Sequence, residues 1–203
     1  MRSLGENCAL MHKSFRAIPC EGVKGYPLNP VEIMKSLSAH YKNAATAESA
    51  SEEYRFTIAL LGGLLHDLPD DFPCRFRQSV CHEDFSADNM LFHADRLSVF
   101  LDFDRNQYSF PAHDIGRVLL SLTLNENRMD AEKVKAFISG YNCHIPLTAQ
   151  ETADALRLTL CIETPWWLYP ACFERPSLKP RRFAYEMRWL AENWPILDNL
   201  LAN

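Results

Sequence analysis

The sequence predicts a mainly α-helical fold with a small β-hairpin block, an α+β arrangement that 203 residues can form as one domain. Apolar residues recur at three- and four-residue steps through most of the chain, which indicates amphipathic helices. Short apolar or alternating runs bounded by turn residues, which are typical of strands, are confined to residues 76–104. We therefore expect one central β block between two helical regions.

The first part of the chain is predicted to form three helices. The first covers residues 3–16, and a loop rich in Pro and Gly follows it. The second covers residues 30–42, because Asn29 can cap a helix that has Pro at its first position. Small polar residues predict a turn over 43–51, and the third helix covers residues 52–68.

The central block is predicted to contain three strands. Residues 76–81 form a short run that leads into a polar loop. Residues 89–93 and 97–102 have the pattern of two strands, and the turn residues 94–96 between them indicate a β-hairpin.

The remaining residues are predicted to be helical. Four helices are expected, over residues 114–124, 130–141, 149–163 and 180–200. Pro165 is predicted to end the third of them, because proline has no amide hydrogen and clashes with the preceding turn. Pro195 is predicted to bend the last helix for the same reason.

The composition excludes several classes of protein. The net charge of −5 argues against a broad nucleic-acid-binding surface, so no nucleic-acid partner is expected. The seven cysteines form no C-x-x-C pair, and we expect reduced, mostly buried thiols rather than disulfides or a zinc site. The sequence has no apolar signal segment and no window of about eighteen apolar residues, so we expect a cytoplasmic protein without a membrane partner.

The polar loop after the first predicted strand carries the strongest functional signal. Asp84 follows His82 by two residues and Asn89 follows Asp84 by five, which is the order of a kinase catalytic loop. Asp102 lies thirteen residues further on, at the end of the predicted hairpin. Phosphoryl transfer needs a carboxylate that accepts the proton of the acceptor hydroxyl, and oxygen ligands that hold Mg²⁺ on the nucleotide. Each residue alone is more simply a turn residue or a strand-end charge, but together they favour a catalytic site.

Four motifs resemble those of one family, the aminoglycoside phosphotransferase and choline kinase superfamily, which has a protein-kinase-like fold. Residues 82–89 resemble its H-G-D-x-x-x-x-N motif, and residues 101–104 resemble its I-D-F-D/E segment. Residues 113–119 resemble its Y-D-L-A helix start, and residues 3–12 resemble the helix that opens its C-terminal lobe. The order and spacing of all four agree with the family. The finer pattern is similar to the spore-coat CotS-type branch, which implies a spore-associated location as an alternative.

The resemblance implies roles for individual residues. Asp84 would be the catalytic base, and Asn89 and Asp102 would bind the nucleotide through Mg²⁺, with ATP as the phosphoryl donor. Asp104 is either a further metal ligand or a solvated loop residue. The partner would be a small molecule with an acceptor hydroxyl. Structural support of the loop is expected from His82 and Asp114.

Glu83 and His12 lie within these motifs. Glu83 stands where the family usually has Gly, and if that position needs an unusual backbone angle, a Glu there is strained. His12, on the first predicted helix, is predicted to be a satisfied, partly buried histidine.

The 203 residues contain no recognisable motif for clamping nucleotide phosphates. None of the seven glycines forms G-x-G-x-x-G or a P-loop, and no V-A-I-K-like strand precedes the first helix. We therefore expect a single kinase-like C-terminal lobe over residues 1–203, without the N-terminal nucleotide lobe. Residues 1–75 would be its helical entry, 76–104 the catalytic loop and metal-binding hairpin, and 112–203 the helical substrate-side region.

Two functions remain as alternatives. The chain is either the catalytic lobe of a small-molecule kinase, or a truncated, non-catalytic pseudokinase lobe that acts as a binding or spore-coat-associated protein. A lobe without its partner is expected to expose apolar surface near residues 1–10, 91–92 and 100–103. Such a surface predicts self-association, or binding to a separate N-terminal lobe.

A group of aromatic residues near the last two predicted helices is predicted to pack in the core. The alternative, which the resemblance implies, is an acceptor pocket with an acid from Glu163 or Glu174. The aromatic residues are Trp166, Trp167, Tyr169, Phe173 and Trp189.

Overall fold

The computed structural model describes residues 1–25, 29–174 and 178–202, apart from the side chains of 65–67, 174, 178 and 200–202. Within this part of the chain the fold is mainly helical with small antiparallel sheets, which confirms the predicted class. The chain divides into two compact units. The first contains Met1–Pro27, Phe76–Leu156 and Ile196–Asn203, and the second contains Leu28–Arg75 and Arg157–Pro195.

The helices and strands follow one another along the described residues. The helices are α1 (Arg2–Phe15), α2 (Pro30–Ser36), α3 (Ser38–Ala45), α4 (Glu52–Asp67), α5 (Pro111–Thr123), α6 (Ala131–Tyr141), α7 (Ala149–Trp167), α8 (Pro170–Glu174), α9 (Leu178–Asn193) and α10 (Leu197–Ala202). The strands are β1 (Ser79–Cys81), β2 (Met90–His93), β3 (Arg96–Phe100), β4 (Gln107–Ser109), β5 (Leu124–Asn125) and β6 (Arg128–Met129).

The strands of the first unit form three two-stranded antiparallel sheets. β2 and β3 form the predicted hairpin. β1 pairs with β4, with Cys81 opposite Gln107, so the loop that follows β1 starts beside the strand that follows the hairpin. The sequence did not predict β4, β5 or β6, because strands of two or three residues are too short to show an alternating pattern.

Helices α1 and α6 of the first unit approach each other closely, and two glycines permit this. A Cβ atom on Gly5 would lie 2.0 Å from the carbonyl oxygen of Phe137. A Cβ atom on Gly140 would lie 2.0 Å from the carbonyl oxygen of Arg2. Both distances are well inside van der Waals contact, so any larger residue would push the helices apart.

The second unit contains helices α2, α3, α4, α8 and α9 and the C-terminal part of α7. Asn29 caps α2 as predicted, because its Oδ1 accepts a hydrogen bond from the amide of Val31 at 2.9 Å. Arg188 of α9 forms ion pairs of 2.8 Å with Glu53 of α4 and with Glu192. The hydrogen bond to Glu192 is the main reason that the pKa of Arg188 is raised.

Several predicted helix boundaries differ from the structure, and three of the differences have an informative cause or position. The helix expected over residues 30–42 is two helices, which meet at Leu37. The prediction that Pro165 ends α7 is wrong, since the helix continues to Trp167. Trp167 Nε1 donates a hydrogen bond to the side chain of Glu163, one turn earlier in the same helix. A 3-10 turn around Pro195 separates α9 from α10, where a bend was expected.

The cysteines differ from the prediction in their burial. All seven cysteines are free thiols, but only Cys8, Cys81 and Cys161 are buried, so the expectation of mostly buried thiols is wrong. A small thiol side chain is tolerated at exposed positions such as Cys20 and Cys74, which lie outside the α-helices and strands.

Among the described residues, no helix has both the length and the apolar character that crossing a bilayer requires.

Candidate active site

Residues 82–89 form a loop between β1 and β2, and its own hydrogen bonds hold its shape. Asn89 Nδ2 donates to the carbonyl oxygen of Asp84 at 2.8 Å. The amide of Ser86 donates to the same carbonyl at 3.0 Å, and the amide of Asn89 donates to the carbonyl of Ser86 at 3.0 Å. A 3-10 turn at Ala87–Asn89 closes the loop. The side chain of Asn89 therefore fixes the backbone at Asp84.

Asn89 and Asp102 lie at the same end of the β2–β3 hairpin. The amide of Leu101 donates to the carbonyl oxygen of Asn89 at 2.9 Å, which extends the antiparallel pairing beyond the strands. Asp102 is the next residue, is exposed, and has a φ of 59°. Because Asn89 uses its Nδ2 atom to bind Asp84, its side-chain oxygen Oδ1 is the atom that remains for a cation.

The carboxylate of Asp84 is partly accessible, with 18% of the side chain exposed. Its Oδ2 atom lies 3.9 Å from Nε of Arg105, whose own side chain is largely exposed, so solvent weakens this ion pair. A general base must come within hydrogen-bonding distance of the proton that it accepts. The accessibility of Asp84 permits that approach from solvent.

His82 is fully buried and joins the loop to the residue after β3. Its Nδ1 atom accepts a hydrogen bond from the amide of Asp84 at 3.4 Å, and its Nε2 atom donates to the carbonyl of Leu101 at 2.9 Å. The proton of the neutral ring is assigned to Nε2, because Nδ1 faces an amide donor and Nε2 faces a carbonyl acceptor. The ring packs against Phe103 and Phe85 at centroid distances of 4.8 and 5.3 Å. The contacts suit the supporting role that the sequence predicts for His82.

Asp114 supports the loop from the first turn of α5, where its carboxylate is completely buried. Its Oδ2 atom accepts a hydrogen bond from the amide of His82 at 2.9 Å, and its Oδ1 atom accepts one from the amide of Glu83 at 2.9 Å. Burial raises the pKa of a carboxyl group, but the hydrogen bond and charge of His12 and the amide of His82 outweigh burial, so the pKa of Asp114 is lowered. The ionised form of Asp114 is therefore favoured in the folded protein.

His12 links the same carboxylate to α6. Its Nε2 atom lies 3.1 Å from Oδ2 of Asp114, and its Nδ1 atom lies 2.8 Å from the hydroxyl of Tyr141. Burial raises the pKa of Tyr141, so its hydroxyl keeps its proton. His12 is fully buried rather than partly buried, and both of its nitrogens have partners. In the sequence, the one feature that pointed to these contacts of His12 is its place in the family motif of residues 3–12.

Two oxygens near the loop suit a hard metal ion. Within the described residues there is no group of three or more His, Cys, Asp and Glu side chains placed as metal ligands. Oδ1 of Asn89 and the carboxylate of Asp102 form no hydrogen bond within the described part of the chain, and Asp104 follows in an exposed turn. A pair of protein oxygens is a typical donor set for Mg²⁺, which keeps several waters or phosphate oxygens as its other ligands. The chemistry of these donor groups is compatible with Mg²⁺, and their role as its ligands stays a prediction.

Glu83 shows the backbone angle that its position in the motif suggested. Its φ is 65°, in the left-handed region that favours glycine. This conformation costs about 1–2 kcal/mol for a residue with a Cβ atom. The sequence predicted the conditional strain, but it did not identify the partners of the Glu83 side chain, which come from strand β4 and helix α5.

The aromatic residues proposed for an acceptor pocket do not share one environment. Trp189 and Phe173 are buried, with 3% and 8% of their surface exposed, which fits core packing. Trp166 is 69% exposed. Glu163 accepts the hydrogen bond of Trp167, and the side chain of Glu174 lies outside the described residues.

Large apolar side chains are exposed on the β2–β3 hairpin and next to it, as expected for the segments 91–92 and 101–103, whereas Phe100 is half-buried. The same expectation for residues 1–10 is not met at Leu4, Cys8 and Ala9, which are buried. Leu91 and Val99 are cross-strand partners and are 52% and 44% exposed. The other exposed apolar residues of this unit near the hairpin or on α1 are Phe92, Leu101, Phe103 and Leu10.

Comparisons with known proteins give similar sequences over most of the chain. A model of the phosphotransferase enzyme family matches residues 1–156. A homoserine kinase of Rhodopseudomonas palustris is 32% identical over 162 residues, which are 76% of this chain and 45% of that protein. A homoserine kinase of Brucella canis is 31% identical over 156 residues, with the same two shares, 76% and 45%. The chain spans about half the length of these curated relatives.

Solved structures share the fold. An aminoglycoside 2'-phosphotransferase in its GDP complex is 17% identical, with a TM-score of 0.59 over all of this chain and 62% of the other. A choline/ethanolamine kinase family protein from Mesorhizobium loti is 16% identical, with a TM-score of 0.57 over 100% of this chain and 65% of the other. A spectinomycin phosphotransferase bound to ADP and spectinomycin is 12% identical, with a TM-score of 0.57 over 99% and 64%. At such identities the likeness establishes a kinase-like phosphotransferase fold and nothing finer.

Proposed function

Since the chain belongs to the phosphotransferase enzyme family, we propose that it takes part in transferring the γ-phosphoryl group of ATP to the hydroxyl of a small molecule. One observation carries this proposal. The hydrogen bond from Asn89 to the Asp84 carbonyl and the pairing of Asn89 with Leu101 bring the loop and the residue before Asp102 together. These contacts support the proposal that a base, from Asp84, and two metal-binding oxygens, from Asn89 and Asp102, act together at the end of one hairpin.

Each of these side chains has a proposed part in the reaction. The Asp84 carboxylate accepts the proton of the acceptor hydroxyl as its oxygen attacks the γ-phosphorus. Oδ1 of Asn89 and the carboxylate of Asp102 hold Mg²⁺, and Asp104 is a further candidate ligand. When bound, Mg²⁺ supplies positive charge to the phosphate oxygens. His82 and Asp114 keep the loop in place and do not exchange protons with the substrate.

Homoserine is the first acceptor to test, because the sequence relatives are homoserine kinases. The solved structures with the same fold include a spectinomycin phosphotransferase and a choline/ethanolamine kinase family protein, so aminoglycosides and amino alcohols are the next candidates. All of these acceptors carry hydroxyl groups. The similarity to the spore-coat branch stays a prediction.

We also propose that these residues correspond to the C-terminal lobe of a kinase. The chain spans about half the length of its relatives, and the 203 residues contain neither G-x-G-x-x-G nor a V-A-I-K-like strand. The same absence supports the second candidate function, a non-catalytic lobe that binds a ligand or a partner. The two candidates differ in turnover when a nucleotide-binding lobe is supplied.

The test begins with metal binding to the purified chain. We expect the Mn²⁺ signal in electron paramagnetic resonance to fall on addition of the protein, and Asp102→Ala to abolish that change. Asp95→Ala, in the exposed turn of the same hairpin, is the matched control and should bind Mn²⁺ like the wild type. A titration without response, or equal binding by Asp102→Ala, would refute the metal site.

The second step is ATP turnover with homoserine, aminoglycosides and amino alcohols. The isolated 203 residues should turn over far below 1 s⁻¹, since each missing phosphate-binding group typically costs on the order of 10²–10³ in rate. Addition of the N-terminal lobe of a homoserine kinase relative should raise the rate for one acceptor class, and Asp84→Asn should remove the gain. Mn²⁺ binding without turnover under any of these conditions would favour the non-catalytic lobe.

A further inference from the structure

Glu83 stands in the loop at a position where both its backbone and its side chain are disfavoured. Its φ of 65° is rarely adopted by residues with a Cβ atom. Its side chain is only 6% exposed, so the carboxylate has lost most of its hydration. A glycine would avoid both costs. A favourable contact of the Glu83 carboxylate must therefore offset them.

The contact is made with the strand and the helix that lie beside the loop. Oε2 of Glu83 accepts a hydrogen bond from Nε2 of Gln107 at 2.8 Å, and the same oxygen lies 3.6 Å from Nδ1 of the buried His113. Gln107 belongs to β4 and is paired with Cys81, and His113 lies in the first turn of α5. The carboxylate thus reaches from the loop to two elements that are distant from it in sequence.

Both of these elements are connected to the candidate active site along the chain. β4 follows the exposed segment that contains Asp102 and Asp104, and α5 contains Asp114. The backbone amide of Glu83 already donates to Asp114 at 2.9 Å, so the side chain adds a second attachment in another direction. The next residue in the loop is Asp84. A change at Glu83 is therefore transmitted directly to the backbone of Asp84.

We propose that Glu83 is a positioning residue that holds the loop carrying Asp84 against strand β4 and helix α5. The inference rests on the proposed function, because the position of Asp84 matters only if that carboxylate acts on a substrate. Glu83 itself does not touch the reacting atoms. The second oxygen of Glu83, Oε1, is buried without a hydrogen-bond partner in the described part of the chain, so the net contribution of Glu83 to global stability is small. Its effect is on the geometry of the loop.

Hydrogen–deuterium exchange of the chain, without metal or nucleotide, tests this inference independently of activity. In Glu83→Gly the backbone strain is relieved but the attachment is lost, so the amides of residues 82–89 should exchange about tenfold faster. Peptides from α6 should exchange at the wild-type rate, and the urea midpoint should be equal or higher. If Glu83 contributed only to global stability, the exchange rate of residues 82–89 and the urea midpoint would change together.

Two other variants identify the contact that is responsible. Glu83→Gln keeps an oxygen that can accept the hydrogen bond of Gln107, and it should retain most of the protection of the loop. Gln107→Leu removes the donor and should reproduce the faster exchange, which keeps the test decisive if a variant at position 83 fails to fold. Glu126→Gly is the matched control, since Glu126 is an exposed Glu with a φ of 43° in the β5–β6 turn. It should leave the exchange of residues 82–89 unchanged.

The outcomes separate this inference from the proposed function. Unchanged exchange of residues 82–89 in both Glu83→Gly and Gln107→Leu would overturn the inference, whatever the activity. Absence of metal binding and turnover in the wild type would count against the proposed function, and the exchange data would still decide whether Glu83 holds the loop. In a preparation that turns over, Glu83→Gly should lower kcat by about 10–100-fold with KM for ATP within about twofold, because a displaced base slows the chemical step.

Discussion

His12 Nε2 lies 3.1 Å from Asp114 Oδ2, although 102 residues separate them in the sequence. The same carboxylate accepts hydrogen bonds from the backbone amides of His82 and Glu83, so α1, α5 and the loop meet at one buried acid. Because this acid is cut off from water, its hydrogen bonds replace the hydration that it lost on folding. The loop that carries Asp84 therefore depends on a histidine in the first helix.

Replacing His12 should destabilise the protein strongly. His12→Ala leaves the buried carboxylate of Asp114 and the hydroxyl of Tyr141 without this partner, which should lower the free energy of unfolding by roughly 2–5 kcal/mol. Urea unfolding monitored by circular dichroism measures the change. His93→Ala, at an exposed position of β2, is the control and should change stability by no more than about 0.5 kcal/mol. Similar losses in both variants would contradict the importance of the His12 contact.

The lowered pKa of Asp114 predicts a dependence of stability on pH. A carboxyl group whose folded pKa is below the unfolded value of about 3.9 stabilises the protein above that value. This contribution is lost as the pH falls through the lower, folded pKa. Asp114→Asn should therefore be less stable than the wild type at pH 7, by roughly 2–4 kcal/mol, and the difference should shrink in acid.

Urea unfolding at several pH values between 7 and about 3 gives the comparison for Asp114. Other carboxyl groups titrate in the same range, so the informative quantity is the difference between the two proteins. Asp95→Asn, at an exposed turn, should show the same pH dependence as the wild type. A constant difference between Asp114→Asn and the wild type across this range would show that the Asp114 pKa is not lowered.

The close approach of α1 and α6 predicts that alanine is poorly tolerated at two glycines. Gly140→Ala places a Cβ atom 2.0 Å from the carbonyl oxygen of Arg2, and separation of the helices should cost roughly 1–3 kcal/mol or more. Gly63→Ala, in the middle of α4, meets no atom of the described residues within 4 Å and should stabilise the helix by about 0.5–1 kcal/mol. Thermal unfolding of both variants measures these opposite changes in stability. A Gly140→Ala variant as stable as the wild type would mean that the helices are not in close contact.

The exposed apolar pair on the hairpin predicts self-association. Leu91 and Val99 are cross-strand partners with about half of each side chain in water, so a second copy can bury them. Sedimentation should show association that increases with concentration and that Leu91→Ser reduces. Phe56→Ser, at a 49% exposed position of α4, is the control and should associate like the wild type. A monomer at high concentration that binds no apolar dye would disprove this prediction.

Local sequence predicted the elements whose residues alternate or repeat over several turns. The helix at α4 and the β2–β3 hairpin agree closely with their predictions because each has a long pattern and distinct end residues. The strand β4 was missed because three residues show no period, and its existence depends on pairing with β1. Pro165 was misjudged because α7 continues through it to Trp167, although a proline inside a helix removes one amide hydrogen bond.

Spacing in the sequence was enough to select the candidate site residues. Asp84, Asn89 and Asp102 were chosen from their order alone, and their roles stay predictions. The partners of Glu83 could not be found in this way. Gln107 lies in an unpredicted strand, and no motif relates it to residue 83. Only pairing of β1 with β4 brings the two side chains together.

The sequence by itself determined the helical class, the hairpin, the order of the polar residues and the family resemblance, because these depend on residues that are near one another in the chain. The tertiary structure decided which distant groups meet. It brought His12 to Asp114 and Gln107 to Glu83, and it gave Glu83 its left-handed backbone. Such contacts depend on how helices and strands pack, and packing is a property of the whole fold rather than of any short segment.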